Sequence, residues 1–284
     1  MGAEGVAAFL LGLEGLALLR GAVEGNDSDF VAARIAEIGR IIKSLDAPPF
    51  DTSLAVSPID AELGYSLWAP NYDGPNPLID VEEPTVRRLI DRSPGGRALD
   101  AACGTGRHAQ YLVSRGHAVV GIDSCEAMLE IAKAKVPAGD FRLGDLRSLP
   151  LEEDSVDLVV CGLALPHLPS LQEPFAEFAR VLRPGGRLVT SDIHHLSLYL
   201  GGVPHVPDGR GGLGRLPVNQ FLPSDYVRAA LHAGFVVGDC EEVLWPDIDG
   251  GHGGPTAQAW CPEAARAVYV GFPAVIAWDF ALPS

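Results

Sequence analysis

The sequence predicts an α/β protein with a doubly wound, largely parallel sheet. Two observations carry this. From residue 97 onward, short apolar runs alternate with segments of helical periodicity, the pattern that builds strand–helix–strand units. The first of these runs ends in a carboxylate at Asp100 and turns through Gly104 and Gly106 into a helix with Ala109, Leu112 and Val113 on one face. Glycines between strand and helix mark the edge where such a sheet receives a ligand.

The first elements are helical. Val6 to Leu19 is apolar, and in Asp29 to Leu45 the residues Val31, Ile35, Ile38, Ile42 and Leu45 step by four and three, which predicts one continuous apolar stripe. Joined across Gly25-Asn26-Asp27-Ser28, the two segments form a hairpin. Its apolar faces must be covered by the catalytic domain or by a second subunit, so a homodimer is one of two outcomes, and it is read as a cap over the active site. It does not read as an export signal or a membrane anchor, because no Lys or Arg precedes the apolar run, Glu14 interrupts it, and it is too short to span a bilayer. Myristoylation at Gly2 would want Ser or Thr where Val6 stands. Pro48-Pro49 ends the hairpin, Ala69 to Pro77 is irregular because its prolines and Gly74 forbid regular elements, and a helix over 81–91 leads onward. The expected division is therefore 1–90, hairpin and cap, and 91–284, ligand-binding domain.

Strands follow at 97–101, 118–122, 139–142, 156–161 and 186–192, with helices at 106–115, 124–135 and 171–183. A helix over 224–233, begun by Ser224 and Asp225 and stopped by Gly234, leads to a strand over 235–244. Residues 255–270 are helical by pattern, and 273–282 is the seventh strand. Between 193 and 222 the chain loses periodicity and fills with Gly, Pro and His. A long irregular insertion at the carboxyl end of a strand is the usual form of a substrate lid and specificity loop.

The turn selects its ligand by charge. Gly104 and Gly106 allow backbone to approach a ligand, and Gly104-x-Gly106-x-x-Ala109 with Asp123 further on also fits a dinucleotide fingerprint. A pyrophosphate over this turn, however, would be repelled by Asp100 in a partly dry cleft. S-adenosylmethionine (SAM) carries no phosphate and has a cationic amino-acid end, and its ribose needs an acidic acceptor.

Five segments in order, Leu99 to Gly106, Val120 to Met128, Gly144 to Pro150, Val156 to Gly162 and Arg180 to Leu188, resemble the motifs of class I SAM-dependent methyltransferases, in particular the small-molecule group related to the ubiquinone and menaquinone enzymes. The resemblance spans roughly residues 97–192. It implies a Rossmann-like seven-stranded sheet whose last strand enters antiparallel, and the hairpin read from periodicity adds an N-terminal helical cap. It also implies that Asp100 and the Ala102-Cys103-Gly104 backbone through Gly106 seat the methionine end, with Asp123 on the ribose hydroxyls. Ser124 and Met128 would flank the adenine, Asp145 would take its exocyclic amine with Leu146 alongside, and Cys161 and Gly162 would line the methionyl chain. Tyr65 and Tyr72 are candidates to close over the cofactor or touch substrate. Ala102 replaces the usual first glycine, a mild change if its φ is negative.

Composition limits the acceptor. With 37 acidic against 21 basic residues and a formal charge of −16, the surface lacks the cationic field that holds nucleic acid. The five cysteines show no metal-like spacing, which predicts no metal site and free thiols in a cytoplasmic setting. Methyl transfer from a sulfonium is an in-line displacement that needs mainly alignment, and a base only when the acceptor carries a proton. His194, two residues after Asp192, is the first candidate for that base, followed by His167 and His195. The reading is methyl transfer from SAM, leaving S-adenosylhomocysteine, to a hydrophobic or aromatic small molecule of specialised metabolism, on O, N or C. Two alternatives stand beside it: a cyclase or isomerase that uses bound SAM only electrostatically, and a noncatalytic SAM-binding protein.

Overall fold

The computed structural model describes residues 2–25, 28–247 and 254–284; Asn26 and Asp27 of the expected hairpin turn lie outside the described residues. The chain forms two units. One comprises the described residues up to 57, residues 210–213 and the described part of 244–272; the other comprises 58–209, 214–243 and 273–284.

In the first unit, helices Val6–Glu24 and Ser28–Lys43 form the expected pair, and strand Gly2–Gly5 runs antiparallel to Ser53–Val56. Leu10, Leu13, Ala17 and Ile41 are buried against Ala257, Ala264, Ala265 and Val268, which belong to helices Gly254–Trp260 and Pro262–Tyr269. The hairpin is thus covered by a C-terminal helix pair. Periodicity announces an apolar face but not the distant segment that docks on it. The predicted stripe is also turned outward: Ile35, Ile42 and Leu45 are exposed, while Arg34 and Ile41 are buried on the other side of the helix. Glu14, which interrupts the apolar run, is fully buried, and its carboxylate pairs with Arg34 at 3.3 Å. Arg34 in turn meets Glu263 at 2.5 Å. Burial, the largest influence, pushes the Glu14 carboxyl up to about 7 against the pull of Arg34.

The second unit is built on a seven-stranded sheet. Its strands are β1 (Arg97–Ala101), β2 (Ala118–Asp123), β3 (Asp140–Leu143), β4 (Val156–Gly162), β5 (Leu182–Ile193), β6 (Val236–Leu244) and β7 (Pro273–Ala281). Their order is β6-β7-β5-β4-β1-β2-β3. The pairings β1 with β2 and β4, β2 with β3, and β4 with β5 are parallel, and β7 runs antiparallel to β5. Leu99, Val120, Val159 and Leu188 face one packed layer and Ala98, Val119, Leu158 and Val189 the other, as expected of strands buried on both faces. The order reverses at β1 and β4, so the carboxyl ends of β1, β2 and β4 open on a switch-point crevice.

Two elements were not evident from periodicity. Ala61–Trp68 is a helix, started by the Asp60 carboxylate accepting the Leu63 N–H at 3.2 Å. The insertion after β5 contains a short helix, His195–Tyr199, and strands His205–Pro207 and Leu213–Arg215. The helix expected at 81–91 begins earlier, at Pro77, where the Asn76 side chain accepts the Leu78 N–H at 3.1 Å.

Candidate active site

The turn after β1 is held open by backbone geometry. Gly104 has φ +52° and Gly106 φ +84°. A Cβ on Gly104 would meet nothing nearer than Tyr72 at 4.0 Å, so this backbone is free toward the crevice, whereas a Cβ on Gly106 would press on Ala132 at 3.3 Å. Gly106 therefore serves helix packing rather than ligand approach. Ala102 has φ +55°, contrary to the expected negative value, in a region that costs an L-residue roughly 1–2 kcal/mol. Such strain at a ligand edge is a mark of function.

A cavity of about 300 Å³ lies over this turn, lined by Ala102, Gly104, Asp123, Ser124, Met128, Asp145, Leu146, Gly162 and Tyr72, together with Asp60, Glu62, Tyr65, Leu163 and His167. Most of the expected cofactor residues are thus gathered on one wall. Asp123 accepts the Gly104 N–H at 2.7 Å and the Cys125 N–H at 2.8 Å, which ties the end of β2 to the glycine turn and fixes the carboxylate at the cavity. Met128 and Leu146 are buried apolar faces suited to a flat base. Asp145 accepts the backbone N–H of Arg147 at 2.8 Å and pairs with its guanidinium at 2.5 Å. Its carboxylate therefore has a partner already.

Four expected residues do not line this cavity. Asp100 is buried and accepts the Ala109 N–H at 2.7 Å, so it organises the turn and acts on a ligand through its field. The Cys103 sulfur packs toward Gly121 in the core. Gly106 faces Ala132, and Cys161 is fully buried inside the sheet. Alternation along β4 explains the last: a strand that presents Gly162 to the crevice turns its neighbour into the core.

The histidines separate clearly. His194 is buried, its Nδ1 accepts the Leu196 N–H at 3.3 Å as a cap of the short helix, and its Nε2 lies 3.3 Å from Glu242. His195 stacks on it with ring centroids 4.4 Å apart. Neither lines the cavity. A position two residues past a strand was expected to bring His194 near the sulfonium, but the chain there turns onto β7, with the His194 N–H on Ala274 O at 2.9 Å. His167 does line the cavity, with Nε2 2.8 Å from Tyr65 Oη and Nδ1 2.7 Å from Pro217 O. Burial lowers its pKa below the ordinary imidazole value, with the Pro217 carbonyl pulling the other way.

Two carboxylates behind the wall escaped sequence reasoning. Glu82 accepts from Ser191 at 2.6 Å, Arg107 at 2.5 Å and His108 at 3.3 Å. Asp192 accepts the Tyr226 hydroxyl at 2.9 Å and the Leu165 N–H at 3.2 Å, anchoring the loop that carries His167. Nothing in local pattern marks either one, since each partner set is drawn from distant segments.

The charge of the cavity suits SAM. Asp60, Glu62, Asp123 and Asp145 face it, against a single cation among the described residues, Arg147, already paired with Asp145; an anionic dinucleotide would meet net repulsion. The wall beside Gly104 would take the methionyl end, Asp123 the ribose, and Met128 with Leu146 the base. Among the described residues no cluster could hold a metal ion, and no helix is long and apolar enough to cross a membrane.

Residues 99–190 match a family described as a methyltransferase domain. A protein of Mycolicibacterium smegmatis named as a probable S-adenosylmethionine-dependent methyltransferase is 31% identical over 191 residues, covering 66% of this chain and 70% of that protein. The chain belongs to the SAM-dependent methyltransferases. A malonyl-[acyl-carrier protein] O-methyltransferase of Yersinia pestis is 33% identical over 170 residues, 58% of this chain and 61% of its own length; the chain thus spans under two thirds of that relative. The methyltransferase solved with the Trm112 activator of Haloferax volcanii shares the fold, with TM-score 0.60 at 21% identity over 78% of this chain and 98% of that one. SAM is the cofactor of this family, and the cavity described above fits it.

Two results are expected here. Replacing Asp123 with Ala should weaken SAM binding by about 1.5–3 kcal/mol, the range for a hydrogen bond to a charged group, and calorimetry would read it directly. Asp123→Asn, which still accepts one N–H, should lose less. Affinity should also depend on pH. Burial, the first cause, pushes Asp100 up to about 6, opposed by His108, the Ala109 N–H and Arg107 and reinforced by Asp123; burial likewise raises Asp123. A cationic ligand prefers both carboxylates ionised, so below about pH 6 it must expel a proton and binds more weakly. Affinity should therefore rise from pH 5 to 7, until the ligand's α-amino group begins to lose its charge near ~8. A flat profile would remove Asp100 from the binding energetics.

Proposed function

We propose that this chain catalyses SAM-dependent methyl transfer to a small, neutral, hydrophobic or aromatic acceptor, in specialised metabolism. The observation that carries the reading is a second cavity of about 230 Å³ that shares Tyr65, Tyr72, Leu163 and His167 with the first. Two chambers with one common wall suit a donor and an acceptor meeting across it, the geometry that an in-line displacement requires. The remaining wall of the second chamber is Trp68, Asn76, Leu78, Ile79, Ile193 and Gly202 to Pro204, so the insertion after β5 contributes to the acceptor side as a specificity loop. His167, which lines both chambers, is read as part of the machinery that takes a proton there. Leu163, at the junction, has φ +57° and donates its N–H to Ser191 O at 2.6 Å, a strained conformation of the kind retained where it positions a site.

The deciding experiment supplies SAM labelled in its methyl group together with extracts of small metabolites. Label should appear in an organic-soluble, uncharged product, with equimolar S-adenosylhomocysteine. Binding of SAM without any label transfer across a broad acceptor set would favour the cyclase or binding-protein alternatives.

A further inference from the structure

We propose that Tyr65 is a catalytic residue and that Tyr65 and His167 form a proton relay serving an acceptor with an acidic hydroxyl, a phenol or an enol. This rests on the donor and acceptor chambers described above and specifies which atom is methylated. The wall of the second cavity carries no charged side chain among the described residues, so a carboxylate or phosphate acceptor would be desolvated there without a counter-charge, at prohibitive cost. Its polar groups are few. The Asn76 side-chain oxygen is used in capping the Leu78 N–H, which leaves the Tyr65–His167 pair as the hydrogen-bonded unit on the wall common to both chambers.

The hydrogen bonds set the direction of the relay. Pro217 O can only accept, so the proton on the His167 ring sits on Nδ1, and Nε2 is left with a lone pair aimed at Tyr65. The Tyr65 hydroxyl donates to that lone pair, and its oxygen remains able to accept a proton. Burial holds Tyr65 well above its ordinary value and His167 below its own, so the resting pair is a phenol and a neutral imidazole. As the acceptor oxygen forms its bond to the methyl carbon, the S–C bond breaks and its electron pair stays on sulfur. The acceptor proton passes to Tyr65 Oη while the Tyr65 proton passes to His167 Nε2. The sulfonium charge is replaced by an imidazolium held against Pro217 O. Trp68, stacked on Tyr65, and Tyr72, edge-on to Trp68, offer faces for a planar acceptor.

The test uses the whole chain with methyl-labelled SAM and 4-nitrophenol as acceptor, reading label transfer to the phenol oxygen across pH. The wild type should methylate the probe, and its rate should fall on the acidic side as His167 takes up a proton. Tyr65→Phe should lower the rate of label transfer by about 10². His167→Gln should do the same and should also remove the acidic limb, which covers the case of a Tyr65→Phe protein that folds poorly; SAM binding by each variant shows that it is folded. Nitrogen-15 spectra should show Nδ1 protonated and Nε2 unprotonated at neutral pH. No label on the phenol oxygen with the wild type, a rate that survives Tyr65→Phe, or a proton on Nε2 would overturn the relay. Label transfer to carbon or nitrogen acceptors that is indifferent to Tyr65→Phe would overturn it while leaving methyl transfer standing; failure to bind SAM would instead overturn the reading beneath it.

Discussion

Glu82→Ala should destabilise the sheet-bearing unit by about 3–5 kcal/mol, the cost of breaking a buried ion pair on one side only. Glu82 is fully buried, and one carboxylate serves Ser191, Arg107 and His108. Burial, the largest influence, would raise its pKa, but His108 and Arg107 outweigh it and hold the carboxyl at about 2. Its removal leaves an imidazole and a hydroxyl without this acceptor and a mostly enclosed guanidinium with only the more distant Glu83, at 3.6 Å. Against a usual total of roughly 5–15 kcal/mol, that loss is large enough to read as a shift in urea midpoint with an unchanged slope. Glu82→Gln keeps the volume and one acceptor oxygen, so it should lose distinctly less. Because the Glu82 pKa is depressed on folding, the stability it contributes is present above about pH 4.5 and is lost as pH falls toward 2. The wild type should therefore lose stability through that window more steeply than Glu82→Gln. The network also supports the site, since a Cβ on Gly162 would stand 2.5 Å from His108 Nε2. A modest fall in SAM affinity should accompany the destabilisation. An alanine variant with wild-type stability would mean that water or a rearranged partner replaces the carboxylate.

What was legible in the sequence is what depends on neighbours along the chain. Residues Arg97–Ala101 appear as predicted because a buried parallel strand is a continuous apolar run, and Asp123 lines the cavity because strand ends in this fold point at one crevice. Gly104 and Gly106 were both visible as turn residues, but only contact with Ala132 separates the one that frees the crevice from the one that permits helix packing. Glu82, Asp192 and the cover of the N-terminal hairpin were not legible. Each is defined by partners at least 25 residues away, and no periodicity records which distant segment supplies them. The outward-turned stripe of Ile35 and Ile42 shows the same limit from the other side: spacing identifies a face, while tertiary packing decides whether it is used.

The same distinction decides the histidine prediction. His167→Ala should lower methyl-transfer turnover by 10² or more with SAM affinity nearly unchanged, while His194→Ala should leave turnover within about twofold and cost stability instead. A positioned general base contributes typically 10²–10⁴ in rate, and His167 has what that role requires: a place on the wall of both cavities, an orienting carbonyl on one nitrogen and a proton-carrying partner on the other. Burial keeps it neutral below the ordinary imidazole range, so it remains a competent base into mildly acidic solution. The acidic limb of the rate profile should lie below the pKa of free imidazole, near ~6.5, and should disappear in His167→Ala. His194 caps the helix His195–Tyr199 through Nδ1 and meets Glu242 through Nε2; its loss frees a helix terminus, worth about 1 kcal/mol, on an element that lines neither cavity. The measurement is the initial rate of label transfer at saturating SAM, set beside the calorimetric SAM affinity of each variant. A His194→Ala enzyme slowed a hundredfold beside an unaffected His167→Ala enzyme would restore the reading taken from strand position, and would require the loop after β5 to move onto the donor cavity during turnover.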